Sequence, residues 1–98
     1  MKLSYYAAFQ YDPDGIEISF PDISVALTCA DNEDEGLVYA EEALSLALDG
    51  MFLERVPQKT SFNQIILKDN QKAFLITTEL KVRNNILYSP SVKKRKTD

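Results

Sequence analysis

The sequence predicts an α+β fold in two layers, with the element order β-β-β-α-β. Two observations carry this. Residues 3–29 and 74–82 alternate apolar and polar side chains with a period of two, the mark of strands with one buried face. Between them, residues 33–53 place apolar side chains at helical spacing behind a run of acids, the mark of an amphipathic helix. One helix laid on one face of a sheet buries both patterns.

The first strand is read over residues 3–11. Leu3, Tyr5, Ala7, Phe9 and Tyr11 point one way, and Ser4, Tyr6, Ala8 and Gln10 the other. Asp12-Pro13-Asp14-Gly15 follows. Proline presets the first central turn position and glycine accepts the left-handed backbone that comes next, so a tight hairpin is expected. Ile16, Ile18 and Phe20 then alternate with Glu17 and Ser19 until Pro21, which lacks an N–H and ends the ladder. A third strand is expected with Ile23, Val25, Leu27 and Cys29 facing inward, which makes Cys29 a core residue.

The helix is expected from about residue 33 to about residue 53, capped by Asp31 or Asn32, with acids in its first turn where the helix dipole favours them. Its inward stripe is Leu37, Ala40, Leu44, Ala47, Leu48 and Met51, opposite Asp34, Glu41, Glu42, Ser45 and Asp49. Gly50 offers an earlier stop. A second line, Tyr39, Leu46 and Leu53, recurs every seven residues beside a line of small residues, Gly36, Ala43 and Gly50. Two readings stay open: a helix buried over a wide arc, or a surface for a partner or a second copy. Phe74, Ile76, Thr78, Leu80 and Val82 form the inward side of a fourth strand, and Phe74 and Ile76 join the candidate dimer surface. Asn84-Asn85 and Pro90 are read as breaks. The domain is therefore expected over residues 1–83, followed by a basic, disordered tail over 84–98.

The chain has 98 residues and a net charge of −4. Residues 1–64 carry 12 acids and 3 bases, residues 65–98 only 3 acids and 8 bases. An acidic body repels phosphate backbones and suits a basic protein partner, although solubility alone also explains such a charge. No apolar run is long enough to span a membrane, and the N-terminus does not read as a secretory leader. With a single cysteine, a reducing, cytoplasmic setting is expected.

Histidine is absent, which removes Ser-His-Asp and Cys-His chemistry, histidine-ligated zinc and histidine acid–base catalysis. No glycine loop suited to phosphate is present. Carboxylate-bound metal is the remaining enzymatic option, and it needs acids converging in a pocket. The first strand has none in its interior, and the others sit on turns, on an outward strand face and on the exposed helix face. No catalytic residue, metal or cofactor is expected.

"YYAAFQYDPDGIEISFPDIS" followed by "TCADNEDEGLVYAEEALSLAL" resembles the HicB-like antitoxins. The matching features are the aromatic first strand, Asp14-Gly15, Phe20-Pro21-Asp22, the acidic helix start, Glu41-Glu42-Ala43-Leu44 and, loosely, Val56-Pro57. The resemblance covers residues 4 to about 57, and 73–82 by strand pattern. It implies a degraded RNase H-like fold without metal-binding carboxylates. It also implies an antitoxin that binds and occludes a small basic HicA-type mRNA-cleaving toxin.

The expected partner surface is Asp12, Asp14, Asp22, Asp31, Asp34 and Glu35, with Ile23 as an apolar anchor; a homodimer is also expected. Three departures stand out. Ser24-Val25 replaces the family's usual Pro-Gly, Gly36 replaces its usual Ala, and too few residues follow Val82 for the family's C-terminal DNA-binding module. Operator binding is therefore not expected. Lys93, Lys94, Arg95 and Lys96 are candidate nucleic-acid contacts, and a toxin-free regulatory or phage-derived protein using them is the alternative reading. A residual metal-dependent nuclease is a third.

Overall fold

The computed structural model describes residues 1–90 of the chain. β1 (Lys2–Asp12) and β2 (Gly15–Ser19) form the expected hairpin, closed by the Asp12–Gly15 pair. β3 (Leu27–Ala30), α1 (Glu33–Leu48) and β4 (Gln71–Glu79) follow. The sheet is antiparallel in the order β3-β2-β1-β4. β1 lies inside the sheet and pairs with β4 over nine residues, from Lys2–Glu79 to Gln10–Gln71. A second hairpin, β5 (Lys81–Arg83) with β6 (Ile86–Tyr88), completes the fold. The two-layer α+β arrangement is as expected.

The core lies between α1 and one sheet face. Tyr5, Ala7, Phe9, Ile18, Ile76, Ala40, Leu44 and Leu48 are all buried there. Burying a side chain of Leu, Ile or Phe size contributes about 1.5–3 kcal/mol relative to leaving it in water. The helix starts at Asn32, whose side-chain oxygen accepts from the Glu35 N–H, while the Glu35 carboxylate accepts from the Asp31 N–H. Two otherwise unpaired donors at the helix entrance are thereby satisfied.

Five expectations are corrected. First, the third strand is shorter and its faces are reversed. Residues 21–25 form turns, with Ala26 N–H donating to the Ile23 carbonyl. This shifts the alternation by one residue, which moves every side chain to the other face. Ala26 and Ala30 are buried, Val25 and Leu27 are 75% and 64% exposed, and Cys29 is exposed rather than core. Second, α1 stops at Leu48. Asp49 takes an extended conformation and Gly50 a φ of +88°, a backbone that glycine adopts without the usual Cβ penalty. Gly50 N–H then donates to the Leu87 carbonyl.

Third, on α1 itself Leu37 is exposed, whereas Ser45 and Gly36 are buried. Fourth, the last long strand breaks at Leu80, so Val82 belongs to β5 and is exposed. Fifth, Asn84-Asn85 is a connection and not a break. Both residues have positive φ between the paired Arg83 and Ile86, the two-residue hairpin turn that asparagine tolerates well. The boundary expected after residue 83 therefore falls inside a hairpin, and Leu87 and Ser89 beyond it are fully buried.

Candidate functional site

The hairpin turn, the end of β3 and the start of α1 meet at one end of the molecule. They enclose a cleft of about 490 Å³ lined by Asp12, Asp14, Glu17, Cys29, Asp31, Glu35 and Tyr39 among others. A second hollow of about 410 Å³ lies beside it, reaching Tyr11 and Glu33 and sharing Asp12, Asp14 and Asp31. Among the described residues no lysine or arginine lines either one. The antiparallel register of β2 and β3, with Ile16 opposite Ala30, carries Asp31 to the hairpin tip.

Some of these carboxylates are committed to the fold. Asp12 accepts from Gln10 Nε2 at 3.0 Å and from Asn70 Nδ2 at 3.2 Å. Glu33 accepts from the Tyr11 hydroxyl at 2.6 Å. Burial, then the hydrogen bond to Glu33 and its charge, pushes the Tyr11 phenol up to about 12. The Lys72 ammonium lies 5.5 Å above the Tyr11 ring, a favourable placement against the ring's negative face. Among the described residues no three of His, Cys, Asp and Glu are grouped so as to hold a metal ion.

Of the acids expected at a partner surface, Asp12, Asp14, Asp31 and Glu35 line the cleft, and Asp34 is exposed on the first helical turn. Asp22 is elsewhere. Its carboxylate accepts from the Thr60 N–H at 2.9 Å and the Thr60 hydroxyl at 2.6 Å. The Tyr5 hydroxyl donates to the Pro57 carbonyl, and burial followed by the Asp22 charge raises that phenol's pKa. These bonds pin residues 57–60 against the turn after β2. Phe62 continues the same segment and packs on Tyr6, with ring centroids 5.6 Å apart.

Ile23 is corrected from anchor to core, being 4% exposed. The turn after Phe20 folds it inward, with the Ile23 N–H donating to the Phe20 carbonyl. Phe74 and Ile76 likewise lie on the helix side of the sheet. Ile76 is buried, and Phe74 packs on Phe9 at 4.5 Å between centroids. Neither side chain offers a dimer surface. Tyr39 and Leu46 are exposed on α1, and Leu53 is exposed too but lies beyond the helix end at Leu48, so the line of three expected along one helix is broken. Lys93, Lys94, Arg95 and Lys96 lie outside the described residues. Sequence reasoning missed Glu17 and Glu33 as parts of the rim; the β2–β3 register and the hairpin turn are what bring them there.

A helix on a four-stranded antiparallel sheet, with an acidic rim at one end and no metal triad among the described residues, defines a small α+β domain with a candidate docking surface. The same fold occurs in a solved toxin–antitoxin complex from Streptococcus pneumoniae. One chain of it superposes with a TM-score of 0.67, covering 97% of this chain and 86% of that one, at 17% identity. Antitoxin HicB 2 of Photorhabdus laumondii is 32% identical over 90 residues, covering 86% of this chain and 65% of that protein. No protein-family model matches the chain. The chain is HicB-like, and it spans just under two thirds of that relative's length. No helix among the described residues is long and apolar enough to cross a membrane.

Proposed function

We propose that the protein is an antitoxin that binds and occludes a small basic HicA-type toxin, an mRNA-cleaving enzyme, and is not itself an enzyme. The supporting observation is the convergence of carboxylates on a cleft that, among the described residues, is lined by no basic side chain. Such a surface carries a negative potential that speeds encounter with a cationic partner and rejects nucleic acid. The same charge over the toxin's RNA-binding groove competes with phosphate for the same cations. On this reading the sheet and helix are an RNase H-like core in which metal-binding carboxylates are missing and the remaining acids serve contact. The HicB name of the Photorhabdus relative and the toxin–antitoxin origin of the fold neighbour support the same reading.

The test is co-purification with a basic HicA-type toxin, followed by titration calorimetry at several salt concentrations. Asp14, Asp31 and Asp34 are suited to charge reversal, because all three are exposed and none of their side chains makes a hydrogen bond among the described residues. Asp14→Lys with Asp31→Lys and Asp34→Lys should weaken binding at least about tenfold, mostly through slower association, since rim charges act chiefly on the encounter rate. An unchanged affinity in the triple variant rejects this rim as the docking surface. Failure of the unmodified chain to bind or neutralise such a toxin rejects the function.

A further inference from the structure

We propose that the outward face of α1 is where the toxin is held, with Tyr39 and Leu46 as apolar anchors for an amphipathic basic segment of it. On the toxin-binding reading, on which this rests, the acidic cleft draws the partner in and the helix face retains it. α1 carries two apolar stripes. The first, Ala40, Leu44 and Leu48, is fully buried in the chain's own core. The second lies on the opposite side. There Val38 is 56%, Tyr39 38% and Leu46 56% exposed. At 3.6 residues per turn these three share an arc of about 100° with Glu35 and Glu42, and Tyr39 and Leu46 stand two turns, about 10 Å, apart. A helix that serves only its own sheet keeps polar residues on the solvent side. Apolar side chains gathered there between carboxylates mark a contact surface.

Two observations select the occupant. Glu35 and Tyr39 also line the acidic cleft, so the helix face continues the surface proposed for the toxin. The charge of α1 is also one-sided: Glu33, Asp34, Glu35, Glu41 and Glu42 lie on it, and it contains no lysine or arginine. A second copy laid against this face would set acids against acids, and phosphate would be repelled in the same way. A basic protein segment with apolar side chains two turns apart answers both the charge and the spacing. Tyr39 is the stronger anchor of the two. A tyrosine buries a large ring while its hydroxyl still finds a polar partner, and tyrosines are enriched among the few residues that dominate binding energy at interfaces.

The experiment is surface plasmon resonance of the full chain against a catalytically inactive HicA-type toxin. Tyr39→Ala and Leu46→Ala should each raise the dissociation rate at least about tenfold and leave the association rate within about twofold, because contact residues act mainly on dissociation. Tyr39→Phe keeps the ring and should dissociate as slowly as the unmodified chain. Leu46→Glu tests the sign. Leucine and glutamate are both good helix formers, so circular dichroism and the urea midpoint should stay unchanged. A surface that attracts by acidity alone would bind more tightly with one more acid. As a buried anchor, Leu46 replaced by Glu should bind at least about tenfold more weakly, because a charge is costly to take out of water. Tighter binding by Leu46→Glu, or a dissociation rate that neither alanine variant moves, overturns the proposal and leaves the cleft reading standing. No binding by the unmodified chain rejects that reading and this proposal together. A chain that is dimeric alone and becomes monomeric with Leu46→Glu, measured by sedimentation equilibrium, also overturns it, because a second copy would then fill the face.

Discussion

At position 36 a single methyl group decides how the helix approaches the sheet. A Cβ built on Gly36 would lie 2.8 Å from Phe9 Cε2 and 3.2 Å from Ile18 Cδ1. Both contacts are with fully buried side chains, and Phe9 is also held by Phe74. The ring cannot retreat without disturbing that pair. Gly36→Ala therefore sets two effects against each other. Helix propensity favours alanine by about 1 kcal/mol, while overpacking a filled core costs about 1–3 kcal/mol. The expected result is a net loss of about 1 kcal/mol in urea unfolding. Trimming the ring should reverse the sign: Gly36→Ala should be less harmful in a Phe9→Leu background than alone, because the two sites share one space. A stabilised Gly36→Ala single variant would show that the helix shifts freely on the sheet. The same contact explains why glycine suits this position. It also removes Gly36 from any partner surface, since its close approach serves the chain's own sheet.

Elements are joined here by polar contacts that hydropathy does not reveal. Ser45, in the last turn of α1, donates to the Ser89 hydroxyl, and Asp49 at the helix end accepts from the Ser89 N–H at 2.7 Å. This latch draws the strand after the Asn84-Asn85 turn onto the helix end, where Leu87 completes the core. Both serines are buried. Ser45→Ala leaves one buried hydroxyl without its partner, which costs about 1–3 kcal/mol. Replacing both serines by alanine should cost less than the two single changes added together, since the second removes the orphaned group. Urea denaturation of the three variants measures this, and strict additivity would show that the hydroxyls act independently. Ser45 was assigned to the exposed face because alternation and helical spacing report apolarity alone. The hairpin at residues 12–15, β1 and the start of α1 were legible because turn chemistry, alternation and capping agree there. β3 was not, because Ile23, Val25, Leu27 and Cys29 alternate as a core face would, whereas the turn that closes on Ile23 and Ala26 has no glycine to announce it and puts Ala26 and Ala30 inside instead. The strand end at Leu80 was hidden in the same way, by an alternation that continues through the break.

Over the whole molecule, the acidic end could be foreseen from composition, but its shape could not. Asp12, Asp14 and Asp31 are brought together by the β1–β2 turn and the β2–β3 register, while the bonds to Thr60 and the turns over residues 20–26 withdraw Asp22 and Ile23 to structural duty. Charge counts alone do not separate these groups. The C-terminal hairpin raises a parallel question of extent, because Asn84-Asn85, read as a break, placed a boundary after residue 83. Packing argues for a larger cooperative unit. Leu80 and Leu87 are both fully buried in the core that holds Phe9 and Leu48, and Gly50 and Met51 exchange backbone hydrogen bonds with Leu87. A residue so placed is subject to the cavity penalty of a central core position, so Leu87→Ala should lower stability by about 2–5 kcal/mol. Unfolding should stay a single transition, with tyrosine fluorescence and far-ultraviolet dichroism coinciding, as for one two-state domain. An appendage behaves differently: truncating Leu87 would then leave the main sheet's midpoint in place and produce a separate early loss of the hairpin. A chain ended after Arg83 provides the harsher form of the same comparison. It removes Leu87 and Ser89 together, so it should fail to give the cooperative transition of the full chain.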